Sequence, residues 1–566
     1  MSSSIDPVDF VRSRFSDAGI SPTGLEVRTF PGETIIVVRV SSDLLDKGVV
    51  LGNSLDRELA LTGFNGFVTV RPSDVPLHQI TGAAKQGVAD PRAAELMTLL
   101  TARSRTSEIQ PSLSYIRDTS ENIGRATTPR HHLVFGRRGA GKTALMVEAK
   151  RLVTERGDLA VWENVQTYRR SSAAQAFVGV SVRICEQVQL FYQNRKSPAV
   201  LADASDLAQH LAMLAALETI PDSKINPLIP RMQRMLQRFS TTSAVNTYVF
   251  VDDLHYLGRD NQPLLLDMLH GAIRDAAVWL KIAGIKHLSH WFQPHPPIGL
   301  QTGHDADHID LDVTLENPAH AKQFLEKVLS TYAEKVGIRF LSNILSAQAL
   351  DRLVLASGAV PRDYLVLCAD AIREAQKREK VRTVGVQDVN KAAGNAAKVK
   401  LTELEEDAAS AGDLTAKVLE GLKAIRRFCI YEKSSTYFRV DFRDKESHAD
   451  EYAVLQELLD SRLTHLVDGS LSDEKHAGRR SEVYMLDLSQ FSGQRLKRKL
   501  RVLDFESGHL VLKATGTKEP HKIGSTPNQR LGILRRGPLF ELAEITNRTA
   551  RGEEVSTGLN NEASGL

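Results

Sequence analysis

The sequence predicts an α/β protein: a parallel sheet with helices on both faces, a small α/β module before it, a helical region after it and a winged-helix-like region beyond. Three observations point there. Short apolar runs alternate with helical patterns between His131 and Val313, as strands buried in a parallel sheet do. The segment HHLVF-GRRGAGKT-ALMVEAKRLV reads as strand, glycine loop and helix. Further on, TYVFVDD is an apolar strand ending in two acids.

With 566 residues the chain exceeds one ordinary hydrophobic core, and roughly two to four domains are expected. Hydrophobic residues at 42% and charged residues at 25% fit a globular protein. The formal net charge is only +3, so a basic surface for nucleic acid has to be local. Cys185, Cys368 and Cys429 lie far apart with no CxxC pair, which argues against a disulfide framework and a cysteine zinc site. The start, MSSSIDPVDFVRSRF, carries two acids and no apolar core, so no secretory leader is expected. No run approaches the ~18 apolar residues of a membrane span, and a cytoplasmic location without membrane contact follows as the expectation.

In chain order, residues 1–73 read as the small module. It has a helix at 7–17, strands LEVRTF and TIIVVRVS, a helix at 43–61 and a strand at 66–71 after a glycine turn. Residues 74–130, Pro-broken with one helix at 91–101, read as a linker. The sheet domain, 131–315, takes its strands from HHLVF, LAVWENV, TYVFVDD, WLKIAGI and HIDLDV. Residues 316–407 are helical and end at the turn signal ASAGD, and 414–542 form the C-terminal region. The tail, 547–566, is polar and rich in Gly, Glu and Asn, and is expected to be disordered.

Gly136 to Thr143 fits G-x-x-x-x-G-K-[ST] in the strand–loop–helix context that the motif requires. Gly136, Gly139 and Gly141 let backbone N–H groups turn inward around phosphate oxygens. The helix that follows points its partly positive end at the same anion. Gly136, Arg137, Arg138, Gly139, Ala140, Gly141, Lys142, Thr143 and Ala144 are therefore the candidate nucleotide-binding positions. Lys142 supplies a charge to the β/γ-phosphates, and Thr143 offers a hydroxyl to Mg²⁺. In TYVFVDD, Asp252 would hold Mg²⁺ directly or through water, and Asp253 would polarise the attacking water. An Asp has a shorter reach than a Glu here, so slow hydrolysis is expected.

The RGAGKT loop, the DD strand followed by Leu254-His255, the strand WLKIAGIKH and the segment SGAVPRDYL together resemble AAA+ ATPases of the origin-recognition/replication-initiator type. That group is close to the STAND signalling ATPases, and the resemblance spans roughly residues 131–407. It implies ATP as the nucleotide, a P-loop ATPase core, a helical lid at 316–407 and a winged helix after it. It also implies that Arg362, opening a helix in SGAVPRDYL, reaches the γ-phosphate from the lid. Lys286 or His287 falls in the first-sensor region, and residues 114–123 fall near the adenine base. The resemblance extends to bacterial proteins, some of them serving in phage defence. Ring-forming relatives place an arginine after the WLKIAGI strand to reach a neighbour's ATP. This chain has no arginine between Ile282 and Lys322, so Lys286, Arg274 or an arginine elsewhere substitutes, or the site is not completed in trans. An ATP-controlled switch fits this better than a fast ring, and a homo-oligomer stays open.

The loop holding His287, His290, His295, His304 and His308, with Asp305 and Asp307, contains zinc-type ligands. Its spacing matches no zinc pattern, and Pro294, Pro296 and Pro297 make it irregular. In the C-terminal region a helix (414–428), the strand TYFRVDF, a helix (448–459) and two strands joined by SLSDEKHAGRR follow the order of a winged helix. Lys475, Arg479 and Arg480 fall at the wing tip, and Arg495, Lys497, Arg498, Lys499 and Arg501 make 495–536 basic, as phosphate contacts require. The reading helix, DKESHADEYAVLQELLDSR, is rich in acids, which argues against sequence-specific readout. Two partner classes stay open: duplex DNA, or a protein held by the winged helix and the N-terminal module.

Overall fold

The computed structural model describes residues 6–546 apart from 31–32, 42–43, 62–63, 65, 73–86, 103–106, 109–114, 117–120, 193–197, 379–380, 412, 475, 477, 493–498 and 518–520. The expected tail, much of the expected linker and the basic side chains of Lys475, Arg495, Lys497 and Arg498 thus lie outside the described residues. The chain divides into two units, Met1–Gln86 and Gly87–Leu566.

The first unit runs α1 (Pro7–Asp17), β1 (Gly24–Phe30), β2 (Glu33–Val40), α2 (Leu45–Leu61) and β3 (Gly66–Pro72). The Asp6 side chain caps α1 by accepting from Val8 N at 2.9 Å. β2 is the central strand, antiparallel to β1 and parallel to β3. Its alternate residues Ile36, Val38 and Val40 bury against Val11 and Phe15 of α1 and Leu55 and Leu59 of α2. The half-buried Asp56 carboxylate accepts from Val68 N at 2.6 Å, and burial pushes it up to about 6.

The second unit opens with α3 (Pro91–Ala102) and α4 (Asn122–Ala126). α3 is a correction to the expected linker. It packs on two helices of the stretch 316–407, Val88 N donates to Arg382 O at 2.8 Å, and Arg92 Nη1 donates to Gly337 O at 3.1 Å. The cause is visible in its sequence: Ala93, Leu96, Leu99 and Leu100 form one apolar stripe that has to be covered.

The core elements are β4 (His131–Phe135), α5 (Lys142–Glu155), β5 (Leu159–Asn164), α6 (Ala173–Tyr192), α7 (Pro198–Ala215), α8 (Asp222–Ile225), α9 (Leu228–Ser243), β6 (Thr247–Asp252), α10 (Asn261–Ile273), β7 (Val278–Gly284), the short hairpin β8 (Phe292–Pro294) and β9 (Pro297–Gly299), and β10 (Ala306–Asp310). The sheet is parallel throughout, in the order β10-β4-β7-β6-β5, so the expected parallel α/β core is present. One face is buried under α6, α7, α9 and α10, the other under α5. Strand β10 ends earlier than HIDLDV suggested, because Asp312 leaves the sheet to pair with Arg137.

The helical stretch expected to form a lid comprises α11 (Pro318–Lys335), α12 (Ala347–Ser357), α13 (Pro361–Gln376) and α14 (Val386–Ala411), and α15 (Asp413–Arg426) follows. The helix α14 runs through Ala411, three residues into the expected turn ASAGD, in keeping with the helix preference of alanine, and Gly412 lies outside the described residues. Next come β11 (Tyr437–Asp441), α16 (Phe442–Ser447), α17 (Ala449–Asp460), β12 (Thr464–Ser472) and β13 (Arg480–Leu486), with sheet order β11-β13-β12.

Beyond it the expected basic extension is a second small sheet, β14 (Arg501–Glu506), β15 (His509–Ala514) and β16 (Lys522–Gly524), with α18 (Pro527–Leu534). Several of its arginines are structural: Arg501 donates to Arg536 O and Lys433 O, Arg530 to Val467 O, and Arg535 to Ser472 O. Among the described residues no helix is long and apolar enough to cross a membrane.

Candidate nucleotide site

Strand β4 delivers Gly136 to the carboxyl edge of the sheet, and the loop turns back into α5 at Lys142. Gly139 and Gly141 have φ of +85° and +103°, a region that side-chain-bearing residues seldom occupy. Gly139 also lies against the start of α13: a Cβ there would sit 2.9 Å from Arg362 Cβ and 3.0 Å from Val360 Cγ1. Arg362 N lies 3.4 Å from Gly139 O, so the lid helix begins directly on the phosphate loop.

Lys142 is 7% exposed and its Nζ donates to Gly136 O at 2.8 Å and Arg137 O at 3.2 Å. Burial lowers its pKa, while Asp253 and Asp252 pull the other way. Strand β6 ends at Asp252, whose Oδ2 accepts from Thr143 Oγ1 at 2.9 Å. Burial, then the neighbouring Asp253 charge, holds the Asp252 carboxyl well above the usual carboxylate range. Asp253 follows with φ +60°, a left-handed turn that takes its side chain off the line of the strand. Burial raises its carboxyl too, against the pull of Lys142.

The sequence reading missed Asn164. At the end of β5 it stands in register with Asp252, and its Nδ2 donates to Asp253 Oδ2 at 3.4 Å. The signal was the polar end of LAVWEN, which parallel pairing brings level with the acids of TYVFVDD. His255 is also nearby: burial first, then the Lys142 and Arg138 charges, depress it to about 3, so it is a neutral imidazole.

The structure therefore gathers Gly136, Arg138, Gly139, Ala140, Gly141, Lys142, Thr143, Ala144, Asp252, Asp253 and the start of the Arg362 helix in one place. Arg137 is the correction. Its guanidinium is 4% exposed and bonds Asp312 Oδ1 (3.1 Å), Val313 O (2.9 Å) and Gly358 O (3.3 Å), and its backbone N–H also donates to Asp312 Oδ1 at 2.9 Å, so Arg137 braces the loop rather than facing a nucleotide. His287 of the first-sensor region turns to the C-terminal region, with Nδ1 2.5 Å from Asp460 Oδ2 and Nε2 3.2 Å from Glu457 Oε2. In the histidine loop, His308 packs edge-on against Phe135 and Trp291. Among the described residues no group of three or more His, Cys, Asp or Glu is arranged to hold a metal ion. Of the expected adenine segment, 114 and 117–120 lie outside the described residues, while Tyr115 and Ile123 pack into the core under α5.

The family model of AAA ATPase domains matches residues 113–280. This segment is an AAA ATPase domain. Solved structures similar to the chain include a Walker-type ATPase of Pyrococcus abyssi, at 13% identity and TM-score 0.38, covering 69% of this chain and 98% of that one. The Aeropyrum pernix ORC1 protein in complex with DNA is similar at 14% identity and TM-score 0.35, over 66% and 90%. The Thermotoga maritima RuvB Holliday junction branch migration motor is similar at 14% identity and TM-score 0.26, over 49% and 71%. No curated protein matches the sequence. The AAA ATPase domain carries the loop, both acids and Asn164, whereas Arg362 comes from the lid outside the matched segment.

Proposed function

We propose that the chain is a cytoplasmic, ATP- and Mg²⁺-dependent switch with slow hydrolysis, associated with duplex DNA through its C-terminal region. The observation that carries the nucleotide part is the Thr143–Asp252 contact, with Asp253 beside it and Lys142 in the loop. A hydroxyl and a carboxylate 2.9 Å apart are hard oxygen donors of the kind Mg²⁺ takes. When bound, the ion would supply positive charge to the phosphate oxygens.

Lys142 leaves its two loop carbonyls for the β/γ-phosphates, and loop N–H groups other than those of Arg137 and Ala140, which bond Asp312 and Arg137 O, cradle the same oxygens. Asp253, aimed by its left-handed turn and by Asn164, accepts a proton from the attacking water. Arg362 reads the γ-phosphate from the lid. The order α15, β11, α16–α17, β12, β13 with sheet order β11-β13-β12 supports the winged-helix reading, and Arg479 and Arg480 are exposed at the hairpin.

A second reading is a STAND-like signalling or antiphage-defence switch, whose winged helix and N-terminal module bind protein. The acids of α17 favour it, because Glu457 and Asp460 already hold His287 of the ATPase core.

The test is Mg²⁺-dependent ATP turnover with and without duplex DNA, at low and moderate salt, in wild type, Lys142→Ala and Asp253→Asn. DNA stimulation of wild type alone, weakening with salt, supports the DNA reading. Turnover indifferent to DNA at every salt, with oligomer size changing on addition of a protein partner, supports the second. If all three are equally inactive while wild type binds ATP, ATP is a ligand only.

A further inference from the structure

Asp363, Lys400, Arg462, His465 and Asp487 are each less than one-tenth exposed, and they meet where the lid faces the C-terminal region. Arg462 Nη1 donates to Asp363 Oδ1 at 2.5 Å. Lys400 Nζ donates to Arg462 O at 3.1 Å and lies 3.2 Å from Asp487 Oδ1 and 3.6 Å from Asp363 Oδ2. His465 Nε2 lies 2.7 Å from Asp487 Oδ2. Burial disfavours the Asp487 anion, but Lys400 and the His465 hydrogen bond hold its carboxyl well below the ordinary range, while burial lowers His465. Charges taken out of water in this way persist only while every partner stays in place.

The cluster reaches the phosphate loop by a short segment. Asp363 is the neighbour of Arg362, whose backbone meets Gly139. Gly358, at φ +57°, lies on the His465 ring where any Cβ would overlap it, and its carbonyl accepts from Arg137 at 3.3 Å. Residues 358–363 are thus gripped by the phosphate loop on one side and by the C-terminal region on the other. His287 adds a second tie, since Asp460 lies two residues before Arg462.

We propose that Arg462 is a positioning residue for Arg362: through Asp363, the C-terminal region sets where the lid helix starts over the phosphate loop, and so how firmly the site holds its nucleotide. This rests on the role given to Arg362 above. A partner that pulls the C-terminal region away separates Arg462 from Asp363, frees the start of α13 and speeds nucleotide release.

The test uses the full chain and a fluorescent ATP analogue carrying a methylanthraniloyl group, with release followed by stopped flow and melting temperatures measured alongside. Arg362→Ala and Arg462→Met are each expected to speed release about tenfold, the size of a typical coupling between sites. The double variant is expected to release no faster than Arg362→Ala alone, and Arg462→Lys to stay near wild type. If Arg462→Met fails to fold, Asp363→Asn carries the same comparison. Unchanged release in Arg462→Met, or an effect that multiplies with that of Arg362→Ala, overturns the positioning role alone. Unchanged release in Arg362→Ala overturns the role of Arg362 and the positioning proposal with it.

Discussion

Two buried lysines stand at opposite edges of the same parallel sheet. Lys142, at the carboxyl edge, donates to two loop carbonyls, and Lys281, in β7, donates to Thr128 O at 2.8 Å and Arg130 O at 2.7 Å and lies 2.9 Å from His132 Nδ1. Burial lowers both. The difference is what surrounds them. Lys142 feels Asp253, Asp252, Asp312 and Asp460, whereas burial is the sole cause acting on Lys281, which it depresses to about 7. A lysine whose charged form is favoured by nearby acids can be lent to a phosphate. A lysine with neutral partners and no acid beside it is a plug, and its charge is a cost to the fold.

The largest effect that sharpens this contrast is expected at the carboxyl edge. Lys142→Met should lower ATP turnover by ~10³-fold or more without loss of folding, measured by phosphate release and melting temperature. Asp253→Asn should lower turnover by ~10²-fold while keeping ATP affinity, measured by titration of a fluorescent analogue. Burial and Asp253 raise the carboxyl of Asp252, so protons compete with the metal towards neutral pH. Apparent Mg²⁺ affinity should therefore fall as pH is lowered from about 8 to about 6, and Asp252→Asn should lose that slope along with most of the affinity.

At the other edge, Lys281 has a folded pKa below its unfolded value. The unfolded chain therefore binds more protons between about 7 and the ordinary lysine range, and stability rises with pH across that window. Denaturant unfolding of wild type should show this rise, at most ~1.4 kcal/mol per pH unit, and Lys281→Met should abolish it. The smallest effect is expected in the N-terminal unit. The carboxyl of Asp56 is raised to about 6, so its favourable contribution is complete below its unfolded pKa and is lost as pH rises through 6. Asp56→Asn keeps an acceptor for Val68 N and should stabilise that unit by ~1 kcal/mol above pH 7 but not at pH 4.

Much of the ATPase core was legible because the chemistry that needs it is local. A glycine loop between strand and helix, and two acids at a strand's end, are patterns within single segments, and the sheet brings Thr143 to Asp252 as they require. Asn164, Arg137 and Lys281 were not legible as site, strut and plug. Their roles depend on register between strands and on partners far along the chain, such as Asp312 for Arg137. The same limit hid the packing of the expected helix α3 on α11 and α13, and the sheet of β14 to β16, whose arginines read as a charge run until their carbonyl partners were in view.

The most direct measurement sets wild type, Lys142→Met and Lys281→Met side by side for Mg²⁺-dependent ATP hydrolysis at pH 7.5, each confirmed folded by its melting curve. The account predicts that Lys142→Met is inactive and that Lys281→Met turns over within about twofold of wild type. Equal loss in both variants, or turnover retained by Lys142→Met, would contradict the assignment of ATP chemistry to the carboxyl edge of the sheet.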